Sequence, residues 1–372
     1  MKNKIKIVYI LSNTNKAIAF EWIADKIDKS KFELSFILLN SKEPYLYNWL
    51  QKREIEAYYI QHSGKKTYLP SFFRILILLI KLRPNAVHTH LFDANLLGLT
   101  AAKIIGIKKR IYTRHHSTYH YDNFPKAVKY DNWANYMATE IVAITKNVRN
   151  VLIEKENVPE KKVILIHHGF KLEKFKNVGH HEIEKLKNKY AISDVDSPVI
   201  GVIARHMKWK GIQYIIPAFK KLLQKYPNAK LVLANASGPY QSKIQQQLSE
   251  LPKENYLKIK FEPNLFALYK LFDIYVHVPF DSQIEAFGQT YVEALASGIP
   301  SIFTLSGVAH EFIKDKENAL VVNYKNSIEI GTAIQHLLTN NQLCKKLMKN
   351  GKKSVGSFNL ELFVKKLELL YD

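Results

Sequence analysis

The chain has 372 residues, a single cysteine and a formal net charge of +22, and 47% of its residues are hydrophobic. This length exceeds a comfortable single core, so two domains of about 150 to 190 residues are favoured. One cysteine excludes an internal disulfide and fits a reducing compartment. The longest apolar run, Ile75 to Ile80, is far shorter than the ~20 residues of a membrane-spanning helix.

The positive charge is concentrated in the first half of the chain. Residues 1–175 contain 29 Lys and Arg against 15 Asp and Glu (+14), and the remaining residues contain 26 against 18 (+8). Such a surface favours an anionic partner such as phospholipid headgroups, nucleic acid or a phosphorylated acceptor. A Lys-rich composition that only keeps the protein soluble explains the charge equally well.

The first elements alternate between strand and helix patterns. Residues 5–11 predict a strand directly after the first residues and show no signal-peptide pattern. Further strands are predicted over residues 32–39 and 57–60, which favours a doubly wound sheet. Asn13 and Thr14 follow the first strand, where they either line a ligand site or form a plain turn into the next helix.

The segment Leu69 to Arg83 predicts a helix with apolar residues nearly all round, ended by Pro84. Burial against the sheet is the simpler interpretation. The alternative is a helix that lies in a membrane interface, with Phe72 and Phe73 as anchors.

Histidines follow two neighbouring strand patterns of the first half. His88 and His90 share one face of a predicted strand, because strand side chains alternate. A zinc site would need a further ligand, and only Asp93 is near in sequence, so we expect no metal here. The next strand pattern ends at Arg114, His115 and His116, which we expect at the same edge of the sheet.

A buried strand over residues 198–204 predicts the start of a second domain. Arg205 and Lys210 lie on the loop that follows it, and Gly211 begins the next helix. Two cations on a loop that enters a helix N-terminus suit a diphosphate, because Arg offers a planar fork and Lys a point charge.

The stretch from Glu285 to Pro300 contains two carboxylates eight positions apart. A helix that begins near Gln289 would direct the backbone amides of its start, from Phe287 and Gly288 onward, towards a phosphate beside Glu285. Glu293, one turn into the helix, would face the same place. Because carboxylates repel phosphate, we expect both to accept hydrogen bonds from neutral hydroxyls of a sugar or a ribose. The pattern predicts a nucleotide-sugar site.

This stretch resembles the Glu-x7-Glu motif and Ala-x-Gly-x-Pro tail of the retaining glycosyltransferases of family four, which have the GT-B fold. Residues 201–211, 87–90 and 113–117 resemble other motifs of that family at fitting spacings, and the resemblance covers nearly the whole chain. It implies that His115 lies near the reacting centre, with His116 as the reserve candidate and His90 beside the acceptor.

The chain departs from the family pattern at several positions. The glycines usual after the first strand are replaced by Asn13 and Thr14, and an asparagine before Gly169 is replaced by His168. Ala204, Ala286 and Val308 are further departures, and together these keep open a non-catalytic, basic lipid- or nucleic-acid-binding protein. Retention of Arg205, Lys210, Glu285 and Glu293 argues against it.

The resemblance implies two Rossmann-like domains facing a central cleft. We expect an acceptor-side domain over residues 1–172, a connection over 173–196, a nucleotide-sugar-binding domain over 197–354, and a C-terminal helix over 355–372 that packs back on the first domain.

We therefore expect transfer of a hexosyl or N-acetylhexosaminyl group from a nucleoside diphosphate sugar, UDP-linked by preference, with retention of configuration. The expected acceptor is a cell-surface glycan or lipid-linked molecule, and no nucleic acid is expected as a partner. Arg205 and Lys210 would bind the diphosphate, Glu285 the donor sugar and Glu293 the ribose. A nucleotide-sugar epimerase of the same fold is the alternative, and it would consume no acceptor.

No cofactor or metal is expected, because the Asp-x-Asp sequence at residues 194–196 lies in the predicted connection and not near the donor residues. We expect a cytoplasmic protein that is soluble or peripheral at the inner face of the plasma membrane.

Overall fold

The computed structural model describes residues 4–372. Its contacts divide the chain into two units, residues 1–170 with 360–372 and residues 171–359. Each unit contains one parallel β-sheet surrounded by helices. The predicted fold class, two Rossmann-like doubly wound domains, is confirmed.

The sheet of the first unit has seven strands in the order β3-β2-β1-β4-β5-β6-β7. Both faces of β1 are buried: Ile7, Tyr9 and Leu11 pack on one side, and Val8 and Ile10 on the other. Burial on both faces explains why this strand contains an apolar run. The strands are β1 Ile5–Ser12, β2 Phe32–Asn40, β3 Ala57–Gln61, β4 Ala86–His90, β5 Lys109–Arg114, β6 Glu140–Ala143 and β7 Val163–Leu165.

Helices connect these strands: α1 Ile18–Lys26, α2 Tyr45–Gln51, α3 Tyr68–Leu82, α4 Phe92–Ile104, α5 Tyr119–Asn123, α6 Val128–Met137 and α7 Lys146–Asn150. Helix α3 is the segment in which apolar residues occur nearly all round. Its Ser71, Ile75 and Leu79 side chains are buried within the first unit. Ile75 and Leu79 pack in one core with strands β1 and β2, so this face is buried against the sheet as predicted. The opposite face of the helix is exposed and apolar. No helix within residues 4–372 is long and apolar enough to cross a membrane.

The sheet of the second unit has six strands in the order β10-β9-β8-β11-β12-β13. These are β8 Val199–Ile203, β9 Lys230–Ala234, β10 Tyr256–Ile259, β11 Ile274–His277, β12 Ser301–Phe303 and β13 Leu320–Val321. The helices are α8 Leu172–Lys176, α9 His180–Tyr190, α10 Ile212–Leu222, α11 Gln241–Leu248, α12 Leu265–Tyr269, α13 Gln289–Ser297, α14 Ala309–Phe312, α15 Ser327–Thr339 and α16 Asn341–Ser354. The segment predicted as a connection contains α8 and α9, and both pack within this unit.

The last helix, α17 Leu360–Tyr371, belongs to the first unit, as predicted. Its Tyr371 hydroxyl hydrogen bonds with the Tyr9 hydroxyl and lies 2.7 Å from Nδ1 of His88. Lys109 Nζ donates to the carbonyl oxygens of Leu370 and Tyr371, at 2.8 and 3.1 Å. The end of the chain is therefore fixed to β1, β4 and β5 by polar contacts as well as by packing.

The Tyr371→Phe variant tests this attachment. It keeps the ring but leaves the buried Tyr9 hydroxyl and His88 Nδ1 without this partner, so we expect a loss of about 1–3 kcal/mol in the free energy of unfolding. Urea denaturation measures it. Tyr136→Phe, at a side chain that is 66% exposed, is the matched control and should leave the free energy of unfolding unchanged. Equal stability of the two variants would contradict a stabilising role of the Tyr371 hydroxyl.

Candidate active site

Two loops of the second unit bring the predicted donor-binding residues together. They follow β8 and β11, which are neighbours in the sheet, and ligands of open α/β sheets bind at the carboxyl ends of such strands. The loop after β8 contains Arg205 and Lys210, and the loop after β11 contains Glu285. This adjacency explains how Lys210 and Glu285, which are 75 positions apart in sequence, make contact.

Glu285 is almost fully buried and is held in an ion pair. Its Oε1 lies 2.5 Å from Nζ of Lys210 and 3.2 Å from Nε2 of His277. Burial would raise the pKa of this carboxyl group, but the charge of Lys210 and the hydrogen bond from His277 outweigh burial and lower it to about 2. Glu285 is thus ionised at neutral pH and can only accept hydrogen bonds.

Glycine makes the approach of the Lys210 loop possible. Gly211 has a φ of +77°, and a Cβ atom at this position would lie 1.8 Å from the carbonyl oxygen of Val278. The Phe280 amide donates to the carbonyl oxygen of Trp209 at 3.0 Å, which fixes the two loops to each other. Arg205, on the same loop, is exposed to solvent.

The turn between Glu285 and α13 is equally constrained. Gly288, the residue before the helix, has a φ of +82°, and Gln289 is the first helical residue. The Glu285 amide donates to Ser306 Oγ at 3.2 Å, and the Val308 amide donates to the Phe287 carbonyl at 3.0 Å. The helix N-terminus and the Glu285 carboxylate therefore come from one short, well-fixed segment.

Glu293 lies in a different environment from Glu285. Its Oε2 accepts a hydrogen bond of 2.8 Å from the hydroxyl of Tyr269, at the end of α12. Burial raises its pKa to about 7, and the hydrogen bond from Tyr269 opposes this shift. The two glutamates of the motif therefore differ in charge state near neutral pH.

The histidines of the first unit meet at the carboxyl ends of β4 and β5. These strands pair with His90 opposite Thr113, so His115 follows next to His90, and His90 Nδ1 lies 3.1 Å from His115 Nε2. The His115 ring stacks on His168, with centroids 5.7 Å apart. Burial lowers the pKa of His90 and of His115 well below the ordinary value, so both rings are neutral at neutral pH.

His88 is not arranged as a metal ligand together with His90 and Asp93. Its Nδ1 contacts Tyr371, and its Nε2 lies 2.8 Å from Oγ1 of Thr113. Asp93 instead accepts hydrogen bonds from Asn13 Nδ2 at 3.0 Å and from the Tyr68 hydroxyl at 2.5 Å. Asn13 is thus tied to the start of α4, and the amide of Thr14 donates to Oδ1 of Asn40 at 3.4 Å.

His116, the reserve candidate, is paired with an acidic residue. Its Nε2 lies 3.3 Å from Oδ1 of Asp131 on α6, and burial lowers its pKa to about 4. The sequence reasoning missed this partner, and it also missed His277 and Tyr269. His277 ends a strand that leads directly to Glu285, which is a local signal, whereas Tyr269 and Asp131 had none.

The fold and the matching family models identify the class of protein. Two Rossmann-like domains with these sheets define the GT-B fold, which solved structures share: HepE from Anabaena, crystallised with UDP and glucose, superposes with a TM-score of 0.82 at 18% identity, over 97% of this chain and 98% of that one. Residues 23–174 match the model for Glycosyltransferase Family 4, and residues 182–354 match that for Glycosyl transferases group 1. The chain belongs to the glycosyltransferases of family four.

Curated relatives agree with this assignment. The chain is 27% identical to the capsular polysaccharide biosynthesis glycosyltransferase CapM of Staphylococcus aureus, over 82% of this chain and 80% of that protein. It is 28% identical to the alpha-monoglucosyldiacylglycerol synthase of Acholeplasma laidlawii, over 78% of this chain and 76% of that one.

The raised pKa of Glu293 predicts a pH-dependent stability. A carboxyl group with a higher pKa in the folded than in the unfolded chain stabilises the fold below its unfolded pKa, and this contribution is lost as pH rises through about 7. Glu293→Gln cannot ionise, so we expect it to be more stable than the parent by about 2–4 kcal/mol at pH 8 and nearly equal at pH 4.5.

Urea denaturation at the two pH values measures this difference. Glu254→Gln, at an exposed carboxylate of the same unit, is the matched control and should show no such difference. A Glu293→Gln variant that is destabilised equally at both pH values would show that the carboxylate is ionised and needed for folding.

Proposed function

We propose that this glycosyltransferase transfers a hexosyl or N-acetylhexosaminyl group from a UDP-linked donor, with retention of configuration, to a cell-surface glycan or a lipid-linked acceptor. The observation that carries the donor side is the ionised Glu285 beside Lys210 and the start of α13. An ionised carboxylate, which can only accept hydrogen bonds, next to a lysine ammonium group and a helix N-terminus suits a molecule with hydroxyls at one end and a diphosphate at the other.

The relatives support the finer parts of this proposal. HepE was solved with UDP and glucose, CapM acts in capsular polysaccharide biosynthesis, and a further relative is an alpha-monoglucosyldiacylglycerol synthase. Within the second unit, Arg205 and Lys210 would bind the diphosphate and Glu293 the ribose. In the first unit, His115 would lie near the reacting centre, where its neutral ring can accept or donate a hydrogen bond.

The Glu285→Gln variant tests the donor-sugar role. The variant keeps the shape but removes the charge, so we expect turnover to fall by about tenfold or more while the Kd for UDP changes little. Initial rates with UDP-glucose, UDP-galactose and UDP-N-acetylglucosamine, together with UDP titration, separate the two quantities. Asp281→Asn, an exposed carboxylate on the same loop, is the control.

Glu293→Ala should show the opposite pattern and weaken the binding of UDP itself. Both variants need a melting curve beside the assay, because the Glu285→Gln substitution removes the ion-pair partner of Lys210. Wild-type transfer rates in both folded variants, with every donor, would contradict the assignment of the two glutamates.

Arg205→Ala tests the proposed diphosphate contact. A charge-assisted hydrogen bond is worth roughly 1.5 to 3 kcal/mol, so we expect the rate to fall about ten- to a hundredfold. Arg205 is exposed, and its loss should not unfold the chain. Lys208→Ala, an exposed cation on the same loop, is the matched control and should retain activity.

The same residues lead us to propose that transfer needs no divalent metal, because cations and backbone amides stabilise the departing diphosphate. Transfer should therefore persist in excess chelator. Loss of activity that magnesium or manganese restores would overturn the assignment of Arg205 and Lys210.

We further propose that α3 binds an anionic membrane surface, where a lipid-linked acceptor would be presented. Leu69, Phe73, Ile77 and Ile80 recur at helical spacing and are 71%, 56%, 64% and 54% exposed. Five exposed cations lie on or near this helix: Lys65, Lys66, Arg74, Lys81 and Arg83. Each is worth about 1 kcal/mol near an anionic surface, and the apolar stripe adds insertion into the headgroup region.

Sedimentation with liposomes tests the membrane proposal. The parent chain should bind phosphatidylglycerol vesicles, bind neutral vesicles much less, and dissociate as salt rises. Phe73→Ser with Ile77→Ser should lower binding roughly tenfold or more. Ile328→Ser, at a side chain that is 70% exposed in the second unit, is the control. Salt-insensitive binding to both vesicle types, or to neither, would disprove the proposal.

A further inference from the structure

A second group of titratable side chains lies in the first unit, and the proposed transfer reaction does not use it. His116 follows β5, His120 lies in α5, and Asp131 lies in the first turn of α6. We propose that His116, His120 and Asp131 bind a transition-metal ion, zinc by preference. One ring nitrogen of each histidine and one carboxylate oxygen all lie within 4.8 Å of one another.

The distances within this group are close to those of a three-ligand site. The shortest contacts of Asp131 are 3.3 Å from Oδ1 to His116 Nε2 and 2.6 Å from Oδ2 to His120 Nδ1. The two imidazole rings are 4.0 Å apart between centroids. Ligand bonds of about 2.0–2.2 Å place tetrahedral neighbours roughly 3.3 Å apart, so small side-chain rotations would admit the ion.

The charges around the group favour a cation. Arg114 contributes one positive charge, at 3.3 Å from Asp131 and 2.5 Å from Glu156. The two carboxylates contribute two negative charges, so the group carries a net charge of −1 when the histidines are neutral. Arg114 thus does not neutralise the negative charge of the group. It orients the Asp131 carboxylate, as hydrogen-bond partners of metal ligands commonly do.

Hydrogen bonds within the described part of the chain do not complete this group. Nδ1 of His116 is buried without a hydrogen-bond partner among residues 4–372. Buried polar atoms are rarely left unpaired, and each such case needs an explanation. Either ring nitrogen of a histidine can bind a metal ion, so a rotation of the His116 ring would present this unpaired nitrogen to an ion held by His120 and Asp131.

The ion would keep a coordination position open. Arg114, His116, His120 and Asp131 line a cavity of about 210 Å³ together with Phe92 and Tyr130. Water or a small ligand in the cavity can supply the fourth ligand. Two imidazoles and one carboxylate favour zinc over magnesium or calcium, which prefer oxygen ligands alone.

Metal binding by untagged protein, stripped with chelator and dialysed, tests the site. We expect one Zn²⁺ per chain by isothermal titration and by elemental analysis. At zinc concentrations of about 100 times the Kd, the melting temperature should rise by roughly 5 to 10 °C. Co²⁺ in place of zinc should give the visible absorption of a four-coordinate ion.

The His120→Ala variant should lose the zinc, the thermal shift and the cobalt spectrum, whereas His180→Ala, with a side chain 87% exposed on α9, should lose none of them. Asp131→Asn is less suitable because it also removes the partner of Arg114. If His120→Ala does not fold, the cobalt spectrum of the parent chain decides alone. Zinc binding that survives in folded His120→Ala, or the absence of a four-coordinate cobalt spectrum, would overturn the proposal.

Discussion

The ion pair between Glu285 and Lys210 is the interaction on which the arrangement of the second unit's site depends. An isolated buried carboxylate would take up a proton, because burial raises its pKa. Lys210 and His277 reverse that shift and hold the pKa of Glu285 at about 2. These groups lie on separate segments of the chain. The close approach of Gly211 to Val278 allows the backbone to bring them together.

The two glutamates of one sequence motif thus acquire opposite chemistry from their surroundings. Glu285 has cationic and histidine partners, whereas a neutral tyrosine hydroxyl contacts Glu293. A pKa of about 7 lets Glu293 either accept or donate a hydrogen bond near neutral pH. The eight-residue spacing alone contains no sign of this difference, because it arises from Lys210 and Tyr269.

Sequence reasoning predicted what local patterns determine. Apolar runs predicted the parallel strands, and the motif after β11 predicted that Glu285 lies beside a helix start. Partners that come from distant segments were not predicted: Asp131 lies on α6, and Tyr269 ends α12. Helix α3 and its burial against the sheet were predicted, but apolar residues occur nearly all round it, so its composition does not reveal which face the sheet covers.

Four buried histidines of the first unit limit the positive charge that it carries at neutral pH. His88, His90, His115 and His168 are buried, and burial lowers the pKa of each below the ordinary value. If all four were protonated, they would add four positive charges to a segment that already carries +14. Neutral rings in mutual contact avoid that repulsion, and they leave His115 able to accept or donate a hydrogen bond. The basic charge of this half of the chain is therefore compatible with an uncharged group of histidines at the carboxyl ends of β4 and β5.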